Sequence, residues 1–114
     1  MVLRVVVDGE VVADWTLETL DYSLPFSTLT IDGDSQQGPL LLDVLAASGV
    51  VTFDSLEALG LGEGRTFEVS LEVDAADIDD GWILDISNKG TLKLAADDLP
   101  REKWVRDLAE LRVN

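Results

Sequence analysis

Cysteine and histidine are both absent from the 114 residues. Lack of cysteine excludes disulfides, thiolate metal ligands and a thiol nucleophile. Lack of histidine removes the commonest general base at neutral pH and the commonest transition-metal ligand. Serines such as Ser35, Ser48 and Ser87 have no imidazole to activate them, and no Gly-x-Ser-x-Gly elbow occurs. No apolar run approaches the ~20 residues of a membrane span. Cations are scarce: eight Lys and Arg face 23 Asp and Glu, a formal net charge of −15. Such a surface repels phosphate backbones and anionic membranes, so neither nucleic acid nor membrane is an expected partner. A basic protein or a divalent cation is what it would attract.

What is present describes a folded chain. Hydrophobic residues make up 46% and charged residues 27%, a globular composition, and the length suits a single domain, residues 1–114. The opening run Met1 to Gly9 has no basic start and no small-residue cleavage site. It reads as a strand rather than a signal peptide, and cytoplasmic residence is the expectation. Charge is uneven along the chain. Lys89, Lys93, Arg101, Lys103, Arg106 and Arg112 crowd the last quarter, just after Asp74, Asp77, Asp79 and Asp80.

The stretch Gly38 to Val50 reads as a short buried helix over about residues 39–48. Gly38 would cap it, Pro39 would occupy its first position, and Gly49 would end it in the left-handed conformation with Val50 folding back on Leu45. Asp8-Gly9 between Val2–Val7 and Glu10–Trp15 predicts a type I′ hairpin. A regular ladder would pair Val5 with Val12 and bury Val2, Val6, Val11, Ala13 and Trp15, with Arg4 on the same face. Thr16 would cap a turn over Leu17–Leu20. Phe26–Ile31, Thr66–Val73, Trp82–Ile86 and Thr91–Ala95 read as strands. Asp32 to Gly38 reads as a polar loop. Asp54 to Glu57 resembles a capping box and predicts a helix stopping at Gly60. Gly60, Gly62 and Gly64 follow that helix and precede none, so they form a connection, not a phosphate loop. Asp74–Gly81 is an acidic loop with one helical turn, and Pro100–Arg106 is a turn. Leu108–Val113 fits a helix or a strand. The sum is an α+β domain with mixed or mainly antiparallel sheets and one buried core helix.

Trp15-Thr16-Leu17-Glu18-Thr19-Leu20, Pro25 to Ile31, Gly38 to Val50, and Lys103-Trp104-Val105-Arg106 running on to Val113 stand in that order along the chain. Together they resemble the molybdopterin-binding oxidoreductase domain of the sulfite oxidase family: its opening "sleeL" turn, its strand before the active-site loop, its "G-v-p-L-x-d-L-L" helix and its closing "k-W-V-r" strand. The resemblance implies that fold, and implies that Leu108–Val113 is a strand. It makes molybdopterin a cofactor by resemblance only. Where the family places a molybdenum-ligating cysteine, this chain reads Asp32-Gly33-Asp34-Ser35. The Arg, Lys and His side chains that hold the pterin phosphate have no histidine counterpart here. No cofactor is therefore expected.

Two groups of residues are candidate sites. Asp32, Asp34, Ser35, Gln36 and Gln37 bring carboxylates and neutral polar groups to the predicted helix N-terminus, and would meet a ligand there. Asp74, Asp77, Asp79 and Asp80 are candidates for a hard cation. The Asp32 loop lacks the Asp-x-Asp-x-Asp-Gly spacing of a Ca²⁺ loop, and no catalytic residue is assigned. The expected role is a non-catalytic domain binding a protein or small ligand on a molybdopterin-oxidoreductase-like fold. A molybdopterin-dependent domain or subunit using Asp34 or Ser35 as ligand is the alternative, and a self-associating structural subunit is another.

Overall fold

A computed structural model describes residues 3–61, 67–87 and 90–114. Nine strands and two α-helices make up most of the described chain, a mixed α+β fold. Strand β1 (Leu3–Val7) turns at Asp8-Gly9 into β2 (Glu10–Trp15). Helix α1 (Leu17–Ser23) leads to the hairpin β3 (Ser27–Ile31) and β4 (Asp34–Gly38). Helix α2 (Leu41–Ala47) precedes β5 (Ser55–Leu61) and β6 (Phe67–Asp74). A second hairpin, β7 (Trp82–Ile86) and β8 (Leu92–Ala96), comes before β9 (Leu108–Val113).

The main sheet runs β2-β1-β9-β5-β6. Only β1 and β9 pair in parallel; the other ladders are antiparallel. The two hairpins join edge to edge through Leu40 and Ile83, with the Leu84 amide donating to the Pro39 carbonyl at 2.9 Å. Leu94 and Val105 exchange hydrogen bonds of 2.8 and 3.2 Å, tying β8 to the segment that enters β9. One core forms between these parts. Leu3, Val5, Leu56, Ala58, Leu111 and Val113 from the sheet meet Trp82, Leu84, Leu92 and Leu94 from the second hairpin, and Leu41, Val44 and Leu45 from α2. Each fully buried Leu contributes about 1.5–3 kcal/mol. A smaller cluster of Ile31, Ile83, Ala95 and Trp104 lies under the β3–β4 hairpin.

The C-terminal end of α2 is as the sequence indicates. Gly49 has φ +87°, Val50 donates to the Leu45 carbonyl at 2.8 Å and Gly49 to that of Ala46 at 3.0 Å, a Schellman motif. The start differs. Leu40 is the N-cap, while Gly38 ends β4, paired with Ser27, and Pro39 accepts from the Leu84 amide of β7. The helix buries Leu41, Val44 and Leu45 and leaves Ala46 and Ala47 exposed, so one face is buried rather than nearly all.

Asp8 and Gly9 have φ +50° and +86°, the type I′ signature, and Val7 pairs with Glu10. Val5 then pairs with Ala13, not Val12. One extra residue on β2 makes a bulge, and a one-residue slip reverses which face each side chain takes. Leu3 and Val5 are therefore buried with Trp15, while Val11 and Val12 are exposed and Val6 is half-buried. Val2 lies outside the described residues. Thr16 caps α1 in a reciprocal box with Thr19.

Two further expectations are corrected. Asp34–Gly38 is strand β4, and the turn is only Asp32-Gly33, with φ +53° and +83°. The helix expected from Asp54 is strand β5: Leu56, Ala58 and Gly60 are buried at every second position, and the strand lies between β9 and β6. Glycine is required at Gly60, where a Cβ would come within 2.3 Å of the Arg106 carbonyl. Gly62 and Gly64 lie outside the described residues, as do the side chains of Phe67 and Val69. Leu71 and Val73 pack on the core, and Ser70 and Glu72 face out, as their alternation indicates. Leu108–Val113 is a strand.

Candidate functional site

The β3–β4 turn is held by Arg101. Its Nε lies 3.7 Å from Asp32 Oδ2, and its Nη2 hydrogen-bonds Asp34 Oδ2 and, at 3.2 Å, the Ile31 carbonyl. The same guanidinium lies 5.0 Å from the ring centre of Trp104, with Lys93 Nζ at 5.3 Å. Trp104 is fixed in turn, its indole N–H shared between the carbonyls of Ala96 and Leu99 at 3.2 Å each. Ser35 is exposed. The Gln37 amide donates to Asp85 Oδ1 at 2.7 Å. Gln36 is 2% exposed, and its Oε1 has no hydrogen-bond partner among the described residues. The turn sits at the end of β4 away from α2, roughly 17 Å along a five-residue strand. Its carboxylates thus meet a cation of the protein, not the N-terminus of α2.

These residues do not fit a molybdenum ligand set. The position where the resembled family holds the metal is a tight turn with both carboxylates engaged by Arg101, and no thiolate exists in the chain. Arg4, Lys93, Arg101 and Arg112 are each within ion-pair distance of a carboxylate.

A different place gathers unpaired acids. A cleft of about 500 Å³ opens between the edge of β6 and the β7–β8 hairpin. Glu72, Asp74, Asp77 and Asp98 line it, together with apolar Leu71, Val73, Leu99 and Trp82. All four acids are exposed, and no ion pair reaches them among the described residues. Trp82 is 1% exposed, and its indole Nε1 is buried with no hydrogen-bond partner among the described residues. A buried donor without a partner costs about 1–3 kcal/mol. Comparison with protein-family models, curated proteins and solved structures finds no match.

Asp74 ends β6, and Asp77 lies in the 3₁₀ turn Ala75–Asp77 that follows it. The fold therefore brings together two of the four aspartates marked as cation candidates. Asp79 instead accepts from the Gly81 amide at 2.8 Å, and Asp80 is exposed away from the cleft. No group of three or more Asp or Glu among the described residues is placed to hold a metal ion. The carboxylates line a wide cleft without converging on one point. Asp98 and Trp82 come from the second hairpin and carry no local sequence signal; only the tertiary arrangement sets them opposite β6.

Another hollow of about 540 Å³ lies on the outer face of the main sheet, lined by Arg4, Glu57, Glu110 and Arg112 among others. Most of its charges answer one another; Glu72, which also borders the β6 cleft, is the exception. Arg112 pairs with Glu57 at 3.7 Å and with the nearly buried Glu110, while Arg4 pairs with Asp14 at 3.6 Å. Such a face has little need of an external counter-charge. The β6 cleft, whose described charged residues are all acids, does.

Proposed function

We propose that this chain is a non-catalytic binding domain whose acidic cleft beside β6 receives a basic group of a partner. On this reading the likeness to the sulfite oxidase family extends to the scaffold and not to the cofactor. One observation carries it: Glu72, Asp74, Asp77 and Asp98 share a cleft with no lysine or arginine among its described lining residues. Arg4, Lys93, Arg101 and Arg112 are each paired with an acid elsewhere, and no ion pair reaches the acids of the cleft among the described residues. An exposed ion pair contributes about 0.2–1 kcal/mol, so several are needed together, and the apolar walls add contact area for the stem of a lysine or arginine.

The test is a titration with a short lysine-rich peptide, followed by calorimetry at low and at physiological salt. Binding in the micromolar to millimolar range that weakens with salt is expected, since the screening length falls to about 8 Å at physiological ionic strength. The triple variant Asp74→Asn, Asp77→Asn, Asp98→Asn should lose most of that affinity. Equal binding by the variant, or by a glutamate-rich peptide, overturns the reading.

A further inference from the structure

The acidic cleft runs along a sheet edge, and that fact specifies how a partner would enter. We infer that the basic partner binds as an extended strand added to the free edge of β6. The inference rests on the binding role proposed above and goes further by assigning the partner's backbone conformation.

Strand β6 is the last of the sheet order, bonded to β5 on one side only. Among the described residues no strand pairs with its other edge. Every second residue of such an edge points its N–H and C=O away from the ladder, a ready template for another chain. The cleft lies against this edge. Leu71 and Val73 of β6 line one side, and Trp82 and Asp98 of the second hairpin line the other. A strand added there would place its side chains alternately up and down. Basic side chains at every second position would then reach Asp74, Asp77 and Asp98. Trp82 lines the same cleft, so its indole resonance would report a strand docked there.

Other ligand classes use less of this. A bare divalent cation finds no converging set of carboxylates among the described residues and leaves the edge unpaired. A small amine meets the acids but leaves the edge unpaired. A second copy of the chain would set its own Glu72 and Asp74 against like charges, which disfavours direct self-pairing. An extended basic peptide uses the edge and the acids at once, the mode known as β-strand addition.

The probe is an acetylated and amidated octapeptide alternating lysine and threonine, titrated into ¹⁵N-labelled protein. Its control is the same peptide N-methylated throughout, which keeps every charge and removes the backbone donors. The parent peptide should shift backbone amides within residues 71–74 and the Trp82 indole resonance, and slow hydrogen exchange in β6. The methylated peptide should bind about tenfold more weakly or worse, from the loss of several hydrogen bonds of ~1 kcal/mol each. If both peptides bind alike, strand addition is wrong while the electrostatic role stands. If neither binds, both readings fall. A concentration-dependent dimer by light scattering that blocks the titration would assign the edge to a second copy and overturn the inference.

Discussion

The backbone of Gly38 passes so close to Leu84 that a Cβ on Gly38 would lie 1.9 Å from the Leu84 carbonyl oxygen. This is where the two hairpins join, with the Leu84 amide donating to the Pro39 carbonyl at 2.9 Å. Neither backbone can retreat without breaking that junction. Gly38→Ala should destabilise the protein by about 2–4 kcal/mol, read from the midpoint of urea unfolding. Gly33→Ala is the contrast: its φ of +83° is strained for alanine, but nothing stands within 4 Å, so about 1–2 kcal/mol is expected. An equal cost at both positions would show that the junction yields.

Glycine at position 38 also shows where a sequence reading goes astray. Gly-Pro before an apolar run reads as the start of a helix, because local capping rules cannot see a neighbouring strand. The helix end was legible, since a Schellman motif is made wholly from nearby residues. The same division holds elsewhere. Asp8-Gly9 and the strands Trp82–Ile86 and Leu92–Ala96 were readable from turn chemistry and alternation, whereas the bulge at Val12 needed the register against β1. Asp54 to Glu57 satisfied a helix start by residue type, yet the position between β9 and β6 made it a strand. For the candidate site, Asp74 and Asp77 were visible as neighbours in sequence. Asp98 and Trp82 were not, because no local pattern records what faces them across the fold.

Deleting Val12 should be tolerated. The bulge arises because Val5 pairs with Ala13 and Val6 with Val11, so removing the intervening residue leaves a regular ladder with Trp15 still opposite Leu3. A stability change within about 1 kcal/mol is expected, with the Trp15 emission maximum unchanged. A red shift of that emission would mean that the face had reversed.

Ser48→Ala should cost about 1–2 kcal/mol. Ser48 Oγ accepts from the Trp15 indole at 2.9 Å and donates to the Val44 carbonyl at 2.8 Å, so it links β2 to the end of α2. The alanine leaves a mostly buried indole N–H without its acceptor. Chemical denaturation measures the loss; a neutral result would mean that water takes over the bond.

Arg101→Ala should loosen the β3–β4 hairpin more than it lowers global stability. The guanidinium is 43% exposed, so its ion pairs with Asp32 and Asp34 are screened and contribute no more than about 1 kcal/mol. Its stacking on Trp104 adds about 0.5–1 kcal/mol. Amides of residues 31–36 should exchange faster in the variant while those of β9 do not change. Uniform acceleration across both would indicate global destabilisation instead.

Moderate salt should raise the melting temperature. Four unpaired acids along one cleft and a net charge of −15 repel one another, and raising ionic strength from ~10 to ~150 mM shortens the screening length from about 30 to about 8 Å. The triple asparagine variant at Asp74, Asp77 and Asp98 should melt higher at low salt and respond less to added salt. Identical salt responses in the two proteins would place the repulsion elsewhere.

The parallel pairing of β1 with β9 bears on how this molecule comes into being. Residues Arg4 to Val7 lie beside Glu110 to Val113, and β9 occupies the centre of the sheet between β1 and β5. A chain emerging from a ribosome can close the Asp8-Gly9 hairpin early. It can also pair β5 with β6, but the strand that must lie between those two units is made last. Until then each nascent half shows a long bare margin to its neighbours on a polysome. Closure over so long a sequence separation is slow, so the interval between synthesis of Leu61 and of Val113 is when this protein has most need of a chaperone.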